Sequence, residues 1–585
     1  MKLNIMKTFM KYFAIMGAVL MLSPSCTEVL EEQPRSVLVP DYFASPAGID
    51  AGVIAAYSYL RFVYGAESHM SLTVMGTDEF THGVESLSIP INTYVGGLNP
   101  ESGMIGVVWN RAYAAINTCN GVISLGPEAD MNPDERTKLI AEAKYLRAHW
   151  YFLLVQFYGD VTLTTEFITV PSSIASRAPM KDVYNIIVQD LKEASAELPD
   201  IPEESGRAAK AAAKHLLSKV YLTRAWRLNQ NADYDSAYFV AKELIDNQGT
   251  YGVALLPDYA NIHAEGNEHN SEIILTCERN NDELFNFTTE TYGVDPDVGN
   301  AQNRSNFFFR IVYERLPGME RDMENGRPWA RFKPTDWLIN DCFADKVNDS
   351  RYSKSFKVAW ICNYGDDARI PTWSKRDFLL GYCDTTQIGQ RKFGEGDTAI
   401  FMYDGEITTE ERGRRGYRIF DSSDVSDQNA YFPTMKKYDD AQRASIQATS
   451  VRPYIVYKFS EAYLIAAEAC LMSGRTPEAV DYINVIRERA AVNEAAKTAM
   501  RITAADLDID FILDERSREL CGESMRWYDL VRTGKLIERV RAYNMDASPN
   551  IQDYHALRPV PQTQIDLCID PTQPDGKYPQ NPGYN

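Results

Sequence analysis

The segment DERTKLIAEAKYLRAHWYFLLVQFYGD, Asp134 to Asp160, constrains the fold more than any other stretch of this chain. Leu139, Ala143, Leu146, Trp150 and Leu153 recur at helical spacing after Pro133, and the pattern stops at Gly159. One long amphipathic helix is predicted, and a helix of that kind needs partners along its whole apolar stripe. The sequence supplies them in pairs. RAAKAAAKHLLSKVYLTRAW is followed by YDSAYFVAKELIDNQG, and FSEAYLIAAEACLMSG by TPEAVDYINVIRERAA. Each pair reads as a helical hairpin whose inner-face alanines allow close approach. The Gly474, Thr476, Pro477 turn resembles the junction between the two helices of a tetratricopeptide unit. The units are degenerate and far apart, so the fold class expected is mainly α: a tetratricopeptide-like helical hairpin scaffold with a large loop-rich insertion containing short strands.

That insertion is read over residues 255–452. Gly, Pro, Asn and Asp punctuate it, strand-like runs such as SEIILTCER are short, and aromatic residues are denser there than in the chain as a whole. It divides a helical region at 26–254 from a helical region and tail at 453–585. Residues 1–25 stand apart. Lys2, Lys7 and Lys11 precede the apolar run Tyr12 to Leu22, which is too short for a stable spanning helix and reads as a secretory signal. Cys26 follows Ser-Pro-Ser and resembles the acylated cysteine of bacterial lipoproteins, with Ser23 standing where that pattern prefers Leu. Glu28, Glu31 and Glu32 close behind it resemble an export tag for display on the outer face of the cell.

Charge and ligand chemistry exclude several classes. The formal net charge is −21, with Lys and Arg scattered, so a phosphate backbone would be repelled and no nucleic-acid partner is expected. The 7 His and 9 Cys form no metal-ligand spacing, and no cofactor is expected. His263, Glu265, Glu268 and His269 read as a surface loop; Asp506, Asp508 and Asp510 read as a solvated helix start. The charged stretch from Asp514 to Arg532 could be mistaken for an acid/base centre. Its carboxylates and guanidiniums alternate around Trp527, however, and a helix–turn–helix joined near Gly522, with Trp527 and Leu530 inward and ion pairs at the edges, accounts for it. Nothing in the sequence indicates an enzyme.

EAKYLRAHWYFLLVQFYGDVTL, SRAPMKDVYNIIVQDLKEA, GRAAKAAAKHLLSKVYL, EAYLIAAEAC with AVDYINVIRERA, DERSRELCGESMRWYDLVRTGKL and the terminal RPVPQTQIDLCIDPTQPDGKYPQNPGYN resemble the SusD/RagB family, in that order. The stretch Leu316 to Leu338, with Trp329 and Trp337, is also similar to sequences of that family. The resemblance implies an outer-membrane, surface-exposed lipoprotein anchored through lipid on Cys26. It further implies four tetratricopeptide-like helix pairs, and a glycan ligand captured for a SusC-like TonB-dependent transporter. Two other readings compete with it: the same architecture binding peptides or another nutrient, and a surface hydrolase.

Sugar binding needs aromatic faces for C–H surfaces and polar side chains for hydroxyls. Two regions combine them. One carries Asn92, Tyr94 and Asn99; the other, in the insertion, carries Tyr292, Trp360, Asn363, Tyr364, Asp366, Arg369 and Trp373, with Asp367 among them.

Overall fold

A computed structural model describes residues 40–280 and 301–584. Cys26 and Tyr292 lie outside the described residues. The fold is mainly helical. The principal helices are α1 (Pro46–Ser58), α2 (Gly103–Leu125), α3 (Pro133–Tyr158), α4 (Met180–Glu197), α5 (Lys210–Leu228), α6 (Ala232–Asp246), α7 (Ser460–Met472), α8 (Thr476–Ala490), α9 (Ile509–Leu520) and α10 (Arg526–Arg532).

The long helix forms where its sequence signals place it. Asn132 caps α3 by accepting from the backbone N–H groups of Asp134 and Glu135, Pro133 occupies the first turn, and Gly159 ends it at φ 73°. In one respect it departs from expectation: from Ala141 to Tyr158 nearly every residue is buried, so α3 is amphipathic only in its first turns. It is the central post of the scaffold. Its buried Arg147 is neutralised by a bidentate pair with Asp190 of α4, both N–O distances being 2.8 Å.

Helices α2 to α8 pack as a continuous succession, each against the next. Helices α6 and α7 are neighbours although the insertion separates them in sequence, so the hairpins read as distant are adjacent in space. The join is sealed by an antiparallel pair, β2 (Ile273–Cys277) with β9 (Tyr454–Lys458), at the two ends of the insertion. The run SEIILTCER therefore forms its strand, and its partner is the strand that leads into α7.

The insertion has a core of its own. Ile311, Tyr313, Trp360, Cys362, Phe393, Ile400, Phe420 and Phe432 pack together, separate from the main helical core. The three-stranded sheet β5 (Ala359–Ile361), β6 (Thr398–Met402) and β7 (Arg418–Phe420) forms its frame, with β5–β6 antiparallel and β6–β7 parallel. A short antiparallel pair, Phe80–His82 with Phe332–Pro334, ties it to the N-terminal region.

The charged stretch folds as a helix–turn–helix, α9 and α10, with Gly522 at φ 73° in the turn and Trp527 and Leu530 fully buried. Its ion pairs are not at the edges, as expected, but inside. Glu515, Arg516, Glu519, Arg526, Asp529 and Arg532 are all buried and all paired. The partners come from every neighbouring element, Asp78 from the N-terminal region, Arg351 from the insertion, and Glu461 and Glu468 from α7, which is why the charges could move inward.

Candidate functional site

Several residues expected to face a ligand are instead structural. Asn92 is fully buried: its Oδ1 accepts from the Gly76 N–H at 2.9 Å and its Nδ2 donates to Thr81 at 2.9 Å. Tyr94 is buried against the His555 ring, and its hydroxyl donates to the Gly76 carbonyl at 2.6 Å. Asn99 closes a local turn, donating to the Gly96 carbonyl and accepting from the Glu101 N–H. The polar atoms of this first region are thus spent on holding one another.

Trp360 and Trp373 are corrected in the same way. Trp360 is 2% exposed because β5 turns it into the insertion core. Trp373 is 7% exposed, with the Lys392 ammonium 4.5 Å from its ring centre and Gly416 packed on its edge. Neither ring offers a face to a sugar. Trp360 fills the small core that a loop-rich segment needs, and Trp373 anchors its own loop against Lys392 and Gly416.

Between these two tryptophans lies an exposed turn that does present chemistry. Tyr364 is 43% exposed. Below it, buried Asp367 accepts from the Gly318 N–H at 2.9 Å and grips Arg369 at 2.7 Å. The hydrogen bond from Arg369 is the main reason the Asp367 carboxyl falls to about 2. Asn363 exchanges hydrogen bonds with the backbone of Glu320 in both directions, so it orients the turn rather than reaching outward. Asp366 is fully solvent-facing, and Arg391 binds the backbone beside it. Tyr364, Asp366 and Arg369 are therefore the sequence-selected residues that the fold brings together at the surface.

From this turn a chain of contacts continues across the insertion. Arg369 donates to the Glu314 carbonyl, and the Glu314 carboxylate holds Arg321 at 2.7 Å. The charge of Arg321 acts on Arg327, whose guanidinium lies 5.3 Å from the centre of the partly buried Trp329 ring. On the far side Arg315 pairs with Glu85, joining the insertion to the segment before Asn92. The surface is one strip, with an aromatic ring at each end. In the sequence Trp329 stands out only as part of the stretch Leu316 to Leu338 that resembles the family. The signal that could have placed it was the recurrence of arginines around it, Arg327 and Arg331, although Ala330 at φ 40° interrupts any simple strand alternation between them.

Farther along, Phe378, Leu379 and Leu380 form an exposed apolar tip on a short helix capped by Ser374 and Asp377, and Tyr382 packs under Gly413. The loop read as superficial at His263 to His269 is partly internal. His263 lies 3.3 Å from Glu523 with its side chain only 9% exposed, and Glu268 is buried against Arg452. Asp508 does cap a helix start, accepting from the Phe511 N–H at 2.7 Å. Among the described residues no helix is long and apolar enough to cross a membrane.

Comparison with known proteins places these features in context. The SusD family matches residues 295–584, and a second family, described as starch-binding and associating with the outer membrane, matches residues 30–222. SusD-like protein P2 of Formosa agariphila is 26% identical, covering 98% of this chain and all of that protein. A solved laminarin-binding SusD-like protein aligns at a TM-score of 0.63 and 23% identity over 92% of this chain and 100% of its own. A SusD homolog of Bacteroides thetaiotaomicron aligns at 0.67 and 20% over 93% of this chain and 98% of its own. These two structures have the same fold.

Proposed function

This chain belongs to the SusD family, and from that premise we propose that it is a cell-surface lipoprotein that captures an oligo- or polysaccharide and passes it to a SusC-like TonB-dependent transporter. What carries the reading is the strip from Tyr364 and Arg369 to Trp329: an exposed ring beside the small core of the insertion, a half-buried ring seated on the edge of the main core, and ion-paired polar groups between them. Rings supply stacking and desolvation; guanidiniums and carboxylates meet hydroxyls and fix orientation. Solved relatives support it by what they bind, laminarin in one and laminarihexaose in another.

The role needs no bond-breaking group. Binding holds the polymer at the cell surface, and lipid on Cys26, which lies outside the described residues, would keep the body at the membrane. Passage across the membrane would fall to the partner transporter, a separate β-barrel.

The test is a glycan array followed by calorimetric titration of the best binder, with product analysis after long incubation. Saturable binding with the polymer intact supports capture. Peptide binding in place of glycan binding, or steady release of shorter products, rejects it. Purification from detergent-solubilised membranes should recover a large β-barrel partner, and Cys26→Ala should lose fatty-acid label; recovery of the lipoprotein alone, or equal label in both proteins, would refute those two parts.

A further inference from the structure

Around Trp329 the structure gathers three guanidiniums. Their carbons stand at 5.5 Å for Arg304, 5.3 Å for Arg327 and 4.9 Å for Arg331 from the ring centre. The indole is held from below by Phe307 and Phe308, at centroid distances of 5.0 and 5.9 Å, and by a hydrogen bond from its backbone N–H to the Phe307 carbonyl. The cluster is fixed in place, and it is only partly buried.

Its charge is not balanced. Arg331, 9% exposed, lies 3.0 Å from Glu67. Arg304 is met by the neutral Gln302 side chain. Arg327 has neither a hydrogen bond nor an ion pair among the described residues beyond its stacking on Phe307 and Trp329. The next acids are occupied: Glu314 by Arg321, and Asp322 by Asn325 and Asn363. Among the described residues, three positive charges thus converge on one ring with a single carboxylate beside them. Burial, and then the crowding of like charges, lowers the proton affinity of Arg327 and, despite Glu67, of Arg304. Like charges crowded and partly desolvated in this way repel one another, and an anion placed among them would relieve the repulsion.

We propose that Arg304, Arg327 and Arg331, fanned around Trp329, form an anion-selective subsite that takes the carboxylate or sulfate of an acidic glycan. This rests on the glycan-capture reading and narrows its substrate class. A planar guanidinium offers paired N–H donors that match a carboxylate or sulfate edge, and the indole offers a face for the sugar ring bearing that group. Neutral sugars would meet the ring but leave the charge excess in place. The subsite lies on the same strip as Tyr364, so a chain stacked at one end can place an acidic residue at the other.

The experiment is affinity electrophoresis through gels containing dextran, carboxymethyl-dextran or dextran sulfate, three polymers sharing one backbone. The protein's own negative charge opposes unspecific adhesion to the charged pair. Retardation by a charged polymer and not by dextran is expected, with the two charged arms separating carboxylate from sulfate. Arg327→Ala and Arg304→Ala should each weaken it by about tenfold or more, and added salt should weaken it further. Arg327 is the sharper probe because it makes no ion pair whose loss could unsettle the fold. Lys192→Ala, an exposed cation on α4, should change nothing. Equal retardation on charged and neutral polymers, or retention unchanged in both arginine variants, would overturn the subsite while leaving glycan capture standing. Failure of every glycan, neutral and acidic, strikes the capture reading and the subsite together.

Discussion

The Arg351 guanidinium lies 2.8 Å from the Glu515 carboxylate, and both side chains are sealed from solvent. Arg351 belongs to the insertion and Glu515 to α9, so the pair fastens one to the other at the base of the scaffold. Burial alone would raise the Glu515 carboxyl, but Arg351, Arg518 and Arg487 overcome it and hold the group well below the carboxylate range. Glu515→Gln is therefore expected to cost about 3 to 5 kcal/mol in urea unfolding, because it strands buried guanidiniums. The sign with pH follows: the contribution of Glu515 is full above its unfolded value and is lost as pH falls toward the folded one. The stability gap between wild type and variant should narrow in acid. A gap that stays constant on acidification would contradict the assignment.

Glu79 has the opposite character. Burial drives its carboxyl up to about 7; Arg526, 3.7 Å away, pulls against this, and the charge of Asp78 adds to it. A raised carboxyl costs stability as pH climbs from the unfolded value toward the folded one, then no further. Glu79→Gln should therefore gain on the wild type between about pH 5 and about pH 7 and hold that gain at higher pH. Chemical unfolding across that range tests it, and a pH-independent difference would disprove it.

How much of this was legible beforehand differs by element. The cap and stop of α3, the hairpins around α5–α6 and α7–α8, and the turn at Gly522 follow from local periodicity and backbone rules, which neighbouring residues suffice to express. Burial in the insertion does not. Trp360 and Tyr364 are four positions apart in a loop-rich segment, and only the pairing of β5 with β6 decides that one ring turns inward while the other stays out. The inward charges of α9 and α10 were hidden for the same reason, since Asp78, Arg351 and Glu461 are remote in sequence.

That contrast is measurable. Trp360→Ala should destabilise the protein by about 3 to 5 kcal/mol through a core cavity. Tyr364→Ala should leave thermal unfolding nearly unchanged while weakening glycan binding by about 1 to 3 kcal/mol, on the scale of base–aromatic stacking. Thermal melts and calorimetric titration separate the two. Full affinity in Tyr364→Ala would remove that ring from the ligand surface.

The Gly522 turn gives the most local test of how insertion and scaffold depend on each other. At φ 73° a side chain is strained in any case, and a Cβ built there would stand 2.6 Å from the Met435 sulfur. Met435 belongs to the strand Thr434–Met435, which pairs with Phe356–Lys357 directly after Arg351 and its helix. Gly522→Ala must therefore carry two separable costs, backbone strain of about 1 to 3 kcal/mol and the displacement of Met435. Met435→Ala alone should destabilise through lost packing, yet in combination with Gly522→Ala the loss should be smaller than the sum, because the shortened side chain vacates the position the new methyl needs. The cycle is read by urea unfolding of the two single variants and the double variant. Strict additivity would mean that the turn and the insertion strand do not press on each other, and that only backbone strain makes glycine necessary at this joint.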